Sequence, residues 1–226
     1  MTTLAKTAPM DIEHVRFNMV EQQIRTWEVL DATVLDLLLR VHREDFVPEQ
    51  HRTLAFVDME IPLGHGECML SPKLEARMLQ ELAIQGGDAI LEVGTGSGFM
   101  TALLASLGRH VYSVDIVPEF TQTAMPRLAA HGISNVTLET GDAARGWDKH
   151  GPYDVIVLTG SVPVLPAAFQ QSLKPGGRLL AVVGEAPVMA AQLITSSGGG
   201  AYHTVTLFET CIAPLKNALQ PQRFVF

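Results

Sequence analysis

Ala89-Ile90-Leu91-Glu92-Val93-Gly94-Thr95-Gly96-Ser97-Gly98 sets a short apolar run against a glycine-rich turn, and Phe99 to Leu107 continues as an apolar helix. The stretch reads as strand, turn and helix. Glycine has no Cβ to block a ligand and accepts positive φ, so such a turn lets main chain approach a bound group. The glycines fall at 94, 96 and 98, a G-x-G-x-G spacing, whereas dinucleotide sites use G-x-G-x-x-G. Glu92 stands two residues ahead of the first glycine. Taken alone, the stretch also fits a tight turn that holds no ligand.

From this turn onward the pattern alternates. Strands are expected at 89–93, 110–115, 136–140, 153–158 and 178–183, and helices at about 99–107, 118–131 and 164–173. The runs at 155–158 and 179–183 are continuous and rich in β-branched residues, as in strands covered on both faces. Strand–helix alternation of this kind implies a doubly wound α/β fold with a mostly parallel sheet. After Ser196-Ser197-Gly198-Gly199-Gly200 a further strand at 204–212 pairs through a hairpin with 190–195.

The N-terminal part is helical. Val15, Met19, Val20 and Ile24 recur at helical spacing over 10–41, and Asp31 is positioned to cap a second helix through Leu39. Pro48 stops the pattern, and 58–67 reads as loop. Ser71 then serves as an N-cap before Pro72, opening a helix with Leu74, Met78, Leu79 and Leu82 on one face. The whole, 1–226, reads as a single domain, with a helical extension and loop over 1–80 and an α/β core over 81–226.

Composition narrows the function classes. Apolar residues are 47% and charged residues 18% of the 226, which suits a compact globular chain. Met1 to Pro9 has no apolar segment of signal-peptide length, and no run approaches the roughly 20 apolar residues of a membrane span. A cytoplasmic protein with no membrane partner is expected. The net charge of −8 and the lack of any Lys or Arg block argue against a nucleic-acid substrate. Cys68 and Cys211 suggest neither a disulfide framework nor a zinc site, and the eight histidines are scattered, so no metal is expected. Trp27, Phe224 and Phe226 either pack back onto the domain or meet partners. Oligomeric state is not legible.

In open α/β sheets, ligands bind beyond the carboxyl ends of the strands. Three acids fall at that edge: Glu92 on the first strand, Asp115 ending the second, and Asp142 after the third. Asp115 follows the glycine turn by about 20 residues, the distance at which a carboxylate reaches ribose hydroxyls. A nucleoside-type ligand follows. NAD is the competing reading; the glycine spacing and the Gly141-Asp142 pair favour S-adenosylmethionine, because the turn resembles motif I of the class I methyltransferases that use it.

The chain as a whole resembles the protein-L-isoaspartate O-methyltransferase family. The likeness runs through Arg43-Glu44-Asp45-Phe46-Val47-Pro48, similar to the family's R-x-x-F-V-P, then Leu91 to Gly98, 153–157, Leu173-Lys174-Pro175-Gly176-Gly177-Arg178-Leu179, and Ala213-Pro214-Leu215. It implies a seven-stranded sheet with a reversed final hairpin. It also implies methylation, with S-adenosylmethionine, of the free carboxylate of isoaspartyl residues in a peptide or protein substrate, leaving S-adenosylhomocysteine. The cofactor contacts it implies are Glu92, Gly94, Thr95, Gly96, Ser97, Asp115, Ile116, Asp142, Ala143 and Thr159. The substrate loop it implies includes Gly66, Cys68 and Met69.

One segment departs from the family. Members follow I-G-x-G with Q-T-I-S, one further residue and Pro. Here Leu63-Gly64-His65-Gly66 leads into Glu67-Cys68-Met69-Leu70-Ser71-Pro72. Cys68 stands at the threonine and Leu70 at the serine thought to act in catalysis; Ser71 is one position late, and it either serves only as the helix cap or is the catalytic candidate whose hydroxyl also reaches the substrate. Cys68 has no neighbour in sequence that would lower its pKa and make it a nucleophile. The departure leaves cofactor binding intact and bears on the acceptor. A different methyl acceptor, or a non-catalytic S-adenosylmethionine-binding protein, are the alternatives.

Overall fold

The computed structural model describes residues 11–222; the expectations for Met1 to Pro9, Phe224 and Phe226 lie outside them. Its centre is a seven-stranded sheet. In chain order the strands are β3 (Ala89–Val93), β4 (His110–Asp115), β5 (Val136–Thr140), β6 (Tyr153–Leu158), β7 (Leu173–Glu185), β8 (Val188–Gly198) and β9 (Ala201–Glu209), after a separate small sheet of β1 (Ile61–Gly64) and β2 (Glu67–Met69). The spatial order is β5-β4-β3-β6-β7-β8-β9. All pairings through β7 are parallel, and β8 runs antiparallel to both β7 and β9.

Every residue of β3 is buried, and Val155, Ile156, Val157 and Leu158 of β6 are fully so. Alternate residues feed opposite faces. Ile90, Val155 and Val157 join one apolar cluster with α3 (Pro72–Leu82), α4 (Phe99–Leu107), α5 (Pro118–Ala130) and the N-terminal helices. Leu91, Ile156 and Leu158 join another, with Phe169 of the short α6 (Ala167–Gln171). Each such side chain contributes about 1.5–3 kcal/mol on burial, so these central strands carry the core.

The chain moves outward from β3 to β4 and β5, then returns to lay β6 on the other side of β3. The loops after β3 and β6 therefore diverge, and a crevice opens between them.

Several local expectations need correction. The N-terminal stretch forms two helical parts as expected, but the first is not regular: α1 (Ile12–Asn18) passes into a π-helical turn (Met19–Ile24) and a 3-10 turn (Arg25–Trp27) before α2 (Ala32–Arg40). Glu28 at φ 61° ends the first part. The break is satisfied by Gln80 of α3, whose Oε1 accepts from Leu30 N–H at 2.7 Å and Asp31 N–H at 3.0 Å while its amide donates to Glu28 O at 3.0 Å. Asp31 caps α2 as expected, accepting from Thr33 and Val34 N–H. Ser71 occupies the N-cap position of α3, yet its hydroxyl makes no capping bond.

The 58–67 segment is a hairpin rather than a loop, with His65 (φ 55°) and Gly66 (φ 79°) in the turn and Pro62 opposite Cys68. The helix expected over 164–173 is only α6, with Pro166 at its N-cap. The strand expected at 178–183 is longer at both ends, and the last hairpin pairs 188–198 with 201–209 about the Gly199–Gly200 turn. Trp27 is partly exposed, with Lys73 Nζ 4.0 Å above its ring.

Arg43 joins the N-terminal part to the site. It is fully buried, paired with Glu75 of α3, and donates to Ala55 O at 3.0 Å and Leu70 O at 2.6 Å. Leaving a buried Glu75 without its cation is costly. Arg43→Ala should lower the unfolding free energy by about 3–5 kcal/mol in urea titrations; a loss within experimental error would show the pair to be dispensable.

Candidate active site

The site grows from the end of β3. Gly94 has φ 102°, and a Cβ there would sit 2.1 Å from Thr159 Oγ1. That hydroxyl, at the end of β6, donates toward Val93 O at 2.9 Å and Gly94 O at 2.8 Å, so the two diverging strands are tied where the turn begins. Gly98, at φ 86°, has Ala124 of α5 where its Cβ would point, 2.8 Å away. Only glycine fits at these two positions.

Asp115, ending β4, holds the middle of the turn. Its Oδ2 accepts from Gly96 N–H at 2.9 Å and its Oδ1 from Val117 N–H at 2.9 Å. Burial pushes its pKa above the usual aspartate value, while these backbone donors pull it back. Thr95 N–H also bears on the carboxylate, whose two oxygens together can accept more bonds than these three donors use.

Glu92 lies beneath the turn and does not line the crevice. It is fully buried, and its Oε2 accepts from Thr101 of α4 at 2.5 Å and Ser113 of β4 at 2.6 Å; Ser113 in turn meets Thr95 Oγ1 at 2.7 Å. Oε1 has no hydrogen-bond partner. Burial raises its pKa to about 8, against the lowering effect of the two hydroxyls. The group is therefore protonated near neutrality, and it joins β3, β4, α4 and the turn.

The crevice wall brings together Gly94, Gly96, Asp115, Ile116, Asp142, Ala143 and Thr159, as well as Cys68 and Leu70 from the hairpin. Thr95, Ser97 and Met69 face a smaller hollow beside it. Gly66 lies at the exposed hairpin turn, and neither it nor Ser71 reaches either wall. The hairpin roofs the glycine turn: Leu63 Cδ1 lies 3.2 Å from where a Gly96 Cβ would stand, and His65 meets Phe120 edge-on at 5.5 Å.

Other wall residues were not apparent in the sequence. Glu60 and Glu67 border the hairpin side, and the 213–216 segment returns from the far end of the chain to form the opposite rim. That segment is stitched down by Ser161 N–H to Ala213 O and Leu215 N–H to Ser161 O, both 2.9 Å, and by Asn217 Nδ2 to Asp142 Oδ2 at 2.9 Å. Its Ala213-Pro214-Leu215 part was visible as family likeness, but its place over the crevice was not. Cys68 is no better placed as a nucleophile than expected, because burial and the carboxylates of Glu60 and Glu67 push its thiol pKa up. Among the described residues, no group of three His, Cys, Asp or Glu side chains is arranged to hold a metal, and no helix is long and apolar enough to cross a membrane.

Comparison with known proteins decides the family. The family model described as Protein-L-isoaspartate(D-aspartate) O-methyltransferase (PCMT) matches residues 15–219. The chain belongs to this family. A curated Protein-L-isoaspartate O-methyltransferase of Myxococcus xanthus is 44% identical over 156 residues, 69% of this chain and 74% of that protein. Protein-L-isoaspartate O-methyltransferase 2 of Anaeromyxobacter sp. is 37% identical over 213 residues, 94% of this chain and 83% of its own length. A Plasmodium falciparum crystal structure assigned to the family, in complex with S-adenosyl-L-homocysteine, superposes with TM-score 0.74 at 20% identity, over 89% of this chain and 98% of that one. At that identity the likeness speaks to fold: a seven-stranded, mostly parallel methyltransferase sheet.

The Glu92 carboxyl offers a direct test of the support beneath the turn. Its folded-state pKa is raised, so between pH 4.5 and about 8 the native state holds a proton that the unfolded chain releases. That contribution to stability is fully present at low pH and is lost as pH rises through this window. Glu92→Gln, which keeps the shape without the proton, should therefore gain stability relative to the parent from pH 4.5 to about 8 in urea titrations. Parallel stability profiles for the two proteins would contradict the assignment.

Proposed function

We propose that this chain is an S-adenosylmethionine-dependent carboxyl O-methyltransferase acting on the free carboxylate of isoaspartyl residues in peptides or proteins. Family membership over residues 15–219 is the observation that carries the reading. In the proposal the N-terminal helices, hairpin and α/β core work as one methyltransferase domain.

The cofactor supplies an electrophilic sulfonium methyl group when bound. The crevice fits it chemically. Bare main chain at Gly94 and Gly96 admits the methionine part beside Thr95, Ser97 and Thr159. Asp115 would use its remaining acceptor capacity for the ribose hydroxyls, and Ile116, Ala143 and Asp142 would flank the adenine. Glu92 acts from below by fixing the turn.

An acceptor carboxylate ionises at about pH 4 and is already an anion at neutrality, so the site needs no general base. The protein's contribution is alignment and exclusion of water, which supply on the order of several kcal/mol of barrier lowering. Leu63 and Leu70 present apolar surface for that purpose. Leu70 and Cys68 bring no hydroxyl to orient the acceptor, and this is what favours the second reading, an altered acceptor on the same cofactor site.

Transfer of radiolabelled methyl from S-adenosylmethionine to an isoaspartyl peptide, beside its aspartyl twin, tests the proposal. Base-labile label on the isoaspartyl peptide alone is the expected result. Equal label on both peptides, or none on either, would defeat it.

A further inference from the structure

The acceptor side of the crevice is acidic. Glu60 and Glu67 border it, with Asp142 exposed on the same wall and Asp115 buried behind them. An anionic acceptor entering this mouth meets repulsion unless a cation offsets it. Among the described residues of the wall, Lys216 is the only lysine, arginine or histidine.

Lys216 is held in place from both directions. Its own segment is fastened through Ser161 and through Asn217, and its Nζ crosses the opening to donate to His65 O at 2.8 Å and to Glu67 Oε1 at 2.9 Å. An ammonium has three donors, so one N–H is left after these two bonds. The side chain remains about 40% exposed, open to an incoming group. Cys68, Leu70 and Lys216 share the one wall, so the ammonium belongs to the same mouth from which the family hydroxyls are missing.

We propose that Lys216 is the acceptor-binding, specificity-determining residue of this chain: its ammonium receives the acceptor carboxylate in place of the hydroxyls that Cys68 and Leu70 lack. This deepens the reading under Proposed function and rests on it. Glu67 stands at the family's glutamine position, so here the hairpin offers a carboxylate that holds Lys216 across the opening until an acceptor arrives. The acceptor carboxylate competes with Glu67 for the ammonium. No proton moves in this exchange. Methylation forms the O–CH3 bond as the C–S bond breaks and its electron pair stays on sulfur, so the product ester is neutral and loses the charge-assisted contact. Lys216 then returns to Glu67, which favours product release.

Steady-state kinetics with an isoaspartyl peptide, alongside calorimetric titration with S-adenosylhomocysteine, test this. Lys216→Met should raise the peptide KM by about tenfold or more, the worth of one charge-assisted hydrogen bond. S-adenosylhomocysteine affinity should be unchanged, and Lys216→Arg should recover much of the loss. Glu67→Gln, which frees the ammonium, should lower KM. Added salt should raise KM for the parent and have little effect on Lys216→Met. An unaltered KM in Lys216→Met overturns the proposal, as does a KM rise matched by equal loss of S-adenosylhomocysteine affinity, since that marks a purely structural tether. If the parent itself transfers no methyl to isoaspartyl peptides, the broader functional reading fails and this one falls with it.

Discussion

Two hydrogen bonds accepted by Asp115, from Gly96 N–H and Val117 N–H, hold the turn on which the crevice depends. A glycine-rich turn is free to adopt many conformations, and that freedom has to be removed before its main chain can serve as a binding surface. Asp115 removes it from the side and the neutral Glu92 carboxyl from beneath, through Thr101 and Ser113. The two acids look alike in sequence, yet one faces the crevice and the other is sealed in the core. Burial raises the pKa of both, and takes that of Glu92, with one oxygen unpartnered, to about 8.

The roof over this turn is assembled from distant parts of the chain. The β1–β2 hairpin lies on Gly96 through Leu63, and Arg43 holds its exit by bonding Leu70 O within the buried pair with Glu75. The 213–217 segment closes the opposite side through Ser161 and Asp142. Lys216 joins the two walls across the opening. One wall thus carries the glycine turn and Asp115, while the hairpin side brings a thiol and a leucine, and Lys216 pairs with Glu67 across the opening.

The parallel core was legible because its signals are local. The strands at 89–93, 110–115, 136–140 and 153–158 and the helix at 99–107 stand where apolar runs and glycines put them; the central two, β3 and β6, are buried almost throughout, while β5 at the sheet edge is only partly covered. The misses have long-range or short-element causes. The π-helical and 3-10 turns that end the first helical part are stabilised through Gln80, 50 residues away from Leu30, and the hairpin strands of four and three residues are too short to show a period. Ser71 looked like a cap by spacing, but its hydroxyl does not bond the helix end. Lys216 was invisible as a site residue because it reaches the turn at His65 across 151 positions.

The central claim is that an S-adenosyl nucleoside binds where β3 and β6 diverge, with Asp115 holding both the turn and the ligand. Calorimetric titration of the intact protein and of Asp115→Ala with S-adenosylhomocysteine tests it most directly. Saturable binding by the intact protein, weakened by about tenfold or more in the variant, is the expected result. No heat of binding with the intact, folded protein would contradict the account.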